Sequence, residues 1–206
     1  MALRLRNSFN VLLAFPASNP ALHNLIQKLT RPVGGLKEIL SRMSAARVYD
    51  RILDYGCGEG LFCNVFDPGK YVGYDIDDKR VAFAAARYPG YRFTSTLPHS
   101  FGDFDIVLFN GVLHHMRPAD VASVFDQIAR ECPTGASLFI IEPLPAHAHD
   151  TYLSALILRL ECLLNGARPA FVDTWLPCLR GRNFTVAANN LYKHYAVVEL
   201  VLDSHD

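Results

Sequence analysis

The pattern of apolar and polar positions changes character twice along the chain, and each change marks a different kind of structure. From about residue 51, short apolar runs alternate with stretches of helical periodicity. Arg51-Ile52-Leu53-Asp54-Tyr55 reads as a strand running into a glycine-rich turn, and Leu61 to Phe66 as a short helix closed by Asp67-Pro68-Gly69. Tyr71 to Tyr74 predicts a second strand, Asp78 to Arg87 an alanine-rich helix, and Tyr91 to Thr94 a third strand. Asp105 to Phe109 is apolar after its first residue, the composition of a central parallel strand covered on both faces. Ala119 to Arg130 carries Val121, Val124, Phe125 and Ile128 at helical spacing. Ser137 to Ile141 predicts a fifth strand, ending at Glu142-Pro143. Strands separated by helices imply right-handed crossovers and a parallel sheet.

The two flanks read differently. Residues 1–46 predict a helical cap, with one helix from Ala21 to Thr30, a break at Arg31-Pro32-Val33-Gly34-Gly35, and a second helix from Leu36 to Ala46. Residues 47–206 form the main domain in this reading. Within it, 146–182 is an apolar helix and loop, centred on Thr151 to Leu164, read as a lid over a substrate. A core or dimer-interface helix is the plainer account of the same stretch, and a face resting on a membrane surface is the third. Tyr195 to Leu202 predicts a closing strand, with Phe184 to Val186 as its hairpin partner and Ala187 to Lys193 ambiguous.

Composition narrows the class. Half of the 206 residues are hydrophobic and 19% are charged, enough apolar material for a core and too little charge for disorder. Twenty basic residues balance twenty acidic ones. The basic excess that phosphate neutralisation demands is missing, so no nucleic-acid partner is expected. The five cysteines include no C-x-x-C pair, which argues against zinc and against a disulfide framework. They read as reduced thiols in a cytoplasmic protein. The apolar run Val11 to Phe15 is too short and interrupted for a secretory leader.

The chemistry is concentrated at the predicted strand ends, where open α/β sheets bind ligands. In Asp54-Tyr55-Gly56-Cys57-Gly58-Glu59-Gly60, a glycine at every second position lets the backbone pass close under a ligand. The predicted helix that follows would aim its free N–H groups at the same space. This is not the dinucleotide fingerprint, because the third glycine of that pattern would fall at Leu61. An acidic residue two positions before Gly56 would repel a pyrophosphate and attract an ammonium group. Asp75 stands at the end of the second strand, where its carboxylate can accept hydrogen bonds from both hydroxyls of a ribose. A cationic amino-acid end and a nucleoside together describe S-adenosylmethionine.

On these residues the chain resembles the class I methyltransferase family, in its small-molecule, ubiquinone-biosynthesis-like branch. The resemblance spans about residues 50 to 145 and rests on ILDYGCGEG, YVGYDID, FDIVLFNGVLHHM and LFIIEP in that order. It implies an α/β, Rossmann-like, doubly wound and mostly parallel sheet with a C-terminal antiparallel strand and an N-terminal helical appendage. It implies S-adenosylmethionine as cofactor, with Asp54, Gly56, Gly58 and Gly60 at the methionine end, Asp75 on the ribose and Ile76 against the adenine. Asn110, at the end of the fourth strand, joins the cofactor-binding group. The family's acidic residue after the third strand is replaced here by Thr94-Ser95-Thr96, so Ser95 or Thr96 would contact the adenine through a hydroxyl.

His114 and His115 follow the fourth strand, where the family places residues near the substrate. Either imidazole could take a proton from the acceptor, His115 being slightly preferred. Positioning alone often suffices for methyl transfer, and one histidine can simply pack. Glu142 has two readings, orienting a substrate amine or hydroxyl and capping the chain. His147, His149 and Asp150 resemble metal ligands, but in a loop they are expected to be solvated, and no metal is predicted.

The expected activity is methyl transfer to an oxygen, nitrogen or carbon of a small hydrophobic molecule, by a monomer or homodimer. The competing reading keeps the fold without methyl transfer, as a cyclase or a non-catalytic scaffold. RNA or protein methylation is disfavoured by the neutral charge and by Gly111-Val112 following Asn110, which breaks any N-P-P-Y-like motif.

Overall fold

A computed structural model describes residues 32–144, 177–179, 181–193 and 195–204, together with the helical residues Tyr152, Leu156 and Arg159. The expected helix over Ala21 to Thr30, most of the apolar helix 151–164, and His147, His149 and Asp150 lie outside the described residues.

Seven strands form one sheet: β1 Ile52–Tyr55, β2 Tyr71–Tyr74, β3 Arg92–Thr94, β4 Ile106–Asn110, β5 Ser137–Pro143, β6 Phe184–Tyr192 and β7 Tyr195–Leu202. Their order is β3-β2-β1-β4-β5-β7-β6. β1 to β5 pair in parallel, while β7 runs antiparallel to both β5 and β6. The order in which strands are added reverses between β1 and β4, which places the topological switch point at their shared carboxyl end. This is the Rossmann-like α/β sheet that the sequence predicts, with a second antiparallel strand at the edge.

Side chains alternate across the sheet and build a core on each face. On one face, α1 (Val33–Ala45) buries Leu36, Leu40 and Met43 against Ile52, Leu108, Phe139 and Val197. On the other, α3 (Pro118–Glu131) buries Val121, Phe125 and Ile128 against Leu53, Val107, Phe109 and Leu138. Pro118 opens α3 where its missing N–H costs nothing. α2 (Asp78–Arg87) is capped by Asp77, whose Oδ1 accepts from the Lys79 N–H at 2.9 Å.

Three sequence expectations are corrected. Val33, Gly34 and Gly35, expected to precede the second helix, lie inside α1, and a Cβ on Gly35 would collide with the Tyr192 ring. The predicted helix over Leu61 to Phe66 is a set of turns around a three-residue 3-10 helix, Cys63–Val65. Leu61, Phe62, Cys63 and Phe66 are all buried, so this segment packs inward on several sides instead of presenting one helical stripe. β6 continues to Tyr192 through the ambiguous stretch, because pairing with β7 supplies the order that its own sequence lacks.

Candidate active site

The loop after β1 holds Gly56, Gly58 and Gly60 at φ of 78°, 54° and 70°, a region that strains any residue with a Cβ. The three glycines differ in what surrounds them. A Cβ on Gly56 would strike Val112, and one on Gly60 would lie 2.8 Å from the Phe93 ring. At Gly58 the nearest atom would be Arg80 Nη1, 3.9 Å away. Internal packing therefore accounts for Gly56 and Gly60, whereas at Gly58, itself buried, the Arg80 guanidinium stands at ordinary contact distance and leaves the tolerance for a Cβ to be decided by the positive φ. Among the described residues no α-helix follows this loop, so the helix dipole expected here is absent and the backbone N–H groups remain.

Asp54 ends β1 and Asp75 follows β2. Asp54 is buried, and its Oδ2 accepts from the Tyr71 hydroxyl at 2.6 Å. Burial, and then the neighbouring Asp54, push the Tyr71 phenol well above its ordinary range. The same two causes push the Cys63 thiol up to about 12. Asp75 accepts from the Gly58 N–H at 2.9 Å through Oδ2, and from the Asp77 N–H at 2.9 Å through Oδ1. The buried Cys57 thiol lies between the two acids and is raised by burial, then by Asp54, then by Asp75. The structure thus brings Asp54 and Asp75 to one end of the sheet and into one electrostatic neighbourhood.

The other residues named from sequence occupy the same rim. Ile76, beside Asp75, is 85% exposed. Ser95 is half-buried and Thr96 exposed, in a turn held by the Thr96 N–H to Thr94 Oγ1 at 3.1 Å. Asn110 is half-buried at the tip of β4.

Across the switch point, Glu142 is fully buried in the last turn of β5. Its Oε1 accepts from the N–H groups of Val112 and Leu113 at 2.9 and 2.7 Å, and its Oε2 lies 2.6 Å from His114 Nδ1. A carboxylate only accepts, so Nδ1 is the donor in this contact and Nε2 is the ring nitrogen turned away from Glu142. His114 is buried, whereas His115 is exposed with its ring centroid 4.0 Å from that of His114.

Sequence reasoning named both His114 and Glu142 but not their pairing, which spans 28 positions and exists only because β4 and β5 are neighbours. A second pair escaped it altogether. Glu59, buried within the glycine loop, meets Arg80 of α2 at 3.7 Å. Among the described residues no group of histidine, cysteine or acidic side chains could hold a metal, and no helix is long and apolar enough to cross a membrane. Cys57, Cys63, Cys132 and Cys178 are all free thiols.

A family model described as a methyltransferase domain matches residues 25–189. The chain belongs to this methyltransferase family. It is an enzyme of the S-adenosylmethionine-dependent class, and S-adenosylmethionine is its cofactor. The methyltransferase is similar in structure to an S-adenosylmethionine-dependent methyltransferase from Mesorhizobium loti, with a TM-score of 0.61 and 18% identity, covering 82% of this chain and 99% of that one. It is similar to human N-acetylserotonin methyltransferase, solved in complex with SAM, at 0.66 and 16%, covering 93% and 59%. It is similar to an O-methyltransferase family protein from Burkholderia thailandensis at 0.72 and 14%, covering 94% and 62%. The methyltransferase therefore spans about three fifths of the latter two chains. At these identities the likeness establishes the shared fold. No curated protein sequence matches.

The residues present fit the cofactor. Gly58, bare of a Cβ, lies beside the Asp75 carboxylate and donates its N–H to it. A carboxylate offers roughly four acceptor positions, so its two backbone donors leave room for ribose hydroxyls.

Proposed function

We propose that this methyltransferase methylates a hydroxyl oxygen of a small, apolar molecule, with His114 as general base and Glu142 as its positioning partner. The observation that carries the reading is the 2.6 Å contact between His114 Nδ1 and a fully buried Glu142 that also grips the backbone of the same loop. When bound, the cofactor supplies an electrophilic methyl group on a sulfonium centre. His114 takes the acceptor's proton at Nε2, and Glu142 steadies the imidazolium that results. The names of two structural neighbours, an O-methyltransferase family protein and an N-acetylserotonin methyltransferase, support a small-molecule acceptor, and the first supports oxygen as its atom.

In this reading Asp75 receives the ribose hydroxyls, the bare backbone at Gly58 lets the nucleoside approach, and Ile76 covers the adenine beside Ser95 and Thr96. Asp54 acts through its field beneath the methionine ammonium, since it is buried and engaged with Tyr71. Residues 1–46 cap a catalytic unit of residues 47–206, and 146–182 form the acceptor's lid. The apolar sequence of that lid, with Tyr152 and Leu156 exposed along it, supports a greasy acceptor.

The test has two stages. Calorimetric titration with S-adenosylhomocysteine should give saturable binding, and labelled cofactor should then methylate hydroxyl acceptors from a panel of phenols, alcohols and amines. No binding at high micromolar ligand would reject the cofactor site. Turnover confined to amines or carbons would reject the oxygen acceptor.

A further inference from the structure

We infer that Arg80 is a cofactor-binding residue whose guanidinium forms the wall of the nucleoside site facing Gly58. This inference rests on the cofactor reading above.

Three observations converge on it. Chain neighbours apart, Arg80 Nη1 is the one heavy atom within 4 Å of the position that a Gly58 Cβ would occupy, so the guanidinium faces the glycine loop at contact distance. The Gly58 N–H donates to Asp75, so the guanidinium and the carboxylate read as the ribose acceptor flank the same residue. Arg80 is also anchored from two directions. Its Nε lies 3.7 Å from Glu59, buried inside the loop, and 3.7 Å from Asp77, the cap of α2.

At 3.7 Å these contacts orient the guanidinium by charge and are too long to be hydrogen bonds. A guanidinium has five N–H donors in one plane. Held at Nε by two acids, it keeps its Nη groups and its flat face for a ligand. A planar cation suits the flat, electron-rich adenine and the hydroxyl oxygens of a ribose. It suits the cationic ammonium and sulfonium groups poorly, which places it at the nucleoside end. Its charge is matched locally by Glu59 and Asp77, so it does not cancel the negative field of Asp54 and Asp75 that a cationic cofactor needs.

The experiment is calorimetry on the intact chain with two ligands, S-adenosylhomocysteine and 5′-methylthioadenosine, which lacks the amino-acid end. Arg80→Ala should weaken both by roughly tenfold, the scale of one cation–π or charged contact. Arg80→Lys keeps the charge without the planar fork and should fall between the two, and it serves if the alanine variant fails to fold. Equal binding by wild type and both variants would overturn the inference while leaving the cofactor reading intact. Weakening of S-adenosylhomocysteine but not of methylthioadenosine would overturn the nucleoside placement. Failure of the wild type to bind either ligand would instead sink the cofactor reading itself.

Discussion

At the tips of β1 and β2, Asp54 and Asp75 are on the α1 side of the sheet, among Tyr71, Cys57 and Cys63. At the tip of β5, Glu142 continues the alternation of Leu138 and Ile140 and emerges on the α3 side. The first region spends its carboxylates on backbone amides and a phenol, beside a loop whose three glycines all hold positive φ. The second spends one carboxylate on two backbone N–H groups and on an imidazole. Fixed acceptors suit recognition of a ligand that must not react with them. A titratable base held rigidly suits proton transfer. The comparison teaches that buried acids at neighbouring strand ends differ in their donors, amides and a phenol at one and an imidazole at the other, and the proposed function assigns binding to the first and chemistry to the second.

The division predicts that the two regions can be damaged independently. His114→Ala should lower kcat by roughly 10²–10⁴-fold, the usual worth of a general base. Affinity for S-adenosylhomocysteine should stay within about twofold, because Asp75 and Gly58 are untouched. Single-turnover rates together with calorimetry read both numbers. A variant that lost cofactor affinity and kept its kcat would erase the distinction between the regions.

Asp75→Asn is the complementary cut. The amide keeps one acceptor oxygen but presents an NH2 toward the Gly58 or Asp77 N–H, and it removes the negative charge. Cofactor affinity should fall by roughly ten- to a hundredfold, consistent with losing a charged hydrogen bond of about 1.5–3 kcal/mol. The single-turnover rate at saturating cofactor should fall far less. If saturating cofactor fails to restore that rate, Asp75 belongs to the chemistry as well.

Much of this organisation was legible in the sequence, and what was not has physical reasons. β2, α2 and β7 fall where the apolar pattern puts them, since each is bounded by strong turn residues or a cap. Ile52–Asn110 also carries its candidate residues in order along the chain, so the gathering of Asp54, Gly58 and Asp75 at one end of the sheet could be read locally. Three features could not. The helix expected over Leu61–Phe66 is replaced by turns because four of its six residues are buried. The pairing of His114 with Glu142 depends on β4 lying beside β5, which no local spacing encodes. Gly35 reads as a helix breaker until Tyr192, from the far end of the chain, is seen to need the space.

Tyr71→Phe probes how firmly the binding wall is built. It removes the hydroxyl that donates to Asp54 and leaves the ring packed, so stability should fall by about 1–3 kcal/mol by denaturant midpoint. Cofactor affinity should change less than in the Asp75 variant. The same wall predicts a pH effect. With the Cys63 thiol raised to about 12, the folded chain keeps a proton that the unfolded chain releases near the ordinary thiol value of about 8.5. Stability should therefore decline as pH rises through the window between those values, and Cys63→Ser should flatten the decline. A midpoint independent of pH across that window would show that Cys63 titrates normally in the folded chain.

Ile76→Ala carries the smallest expected effect and the sharpest test of the rim. The side chain is 85% exposed, so its removal should leave the melting temperature within about a degree, as for most exposed substitutions. Burial beneath a bound adenine would change that balance, because each CH2 removed from water is worth about 0.8 kcal/mol. Partial coverage of the three lost carbons then gives a weakening of S-adenosylhomocysteine binding by roughly three- to tenfold, with kcat unchanged. Calorimetry at two or more temperatures adds a second readout, since losing buried apolar surface should make the heat-capacity change of binding less negative. An alanine variant with wild-type affinity and heat capacity would mean that the adenine lies elsewhere, and that the binding wall ends at Asp75.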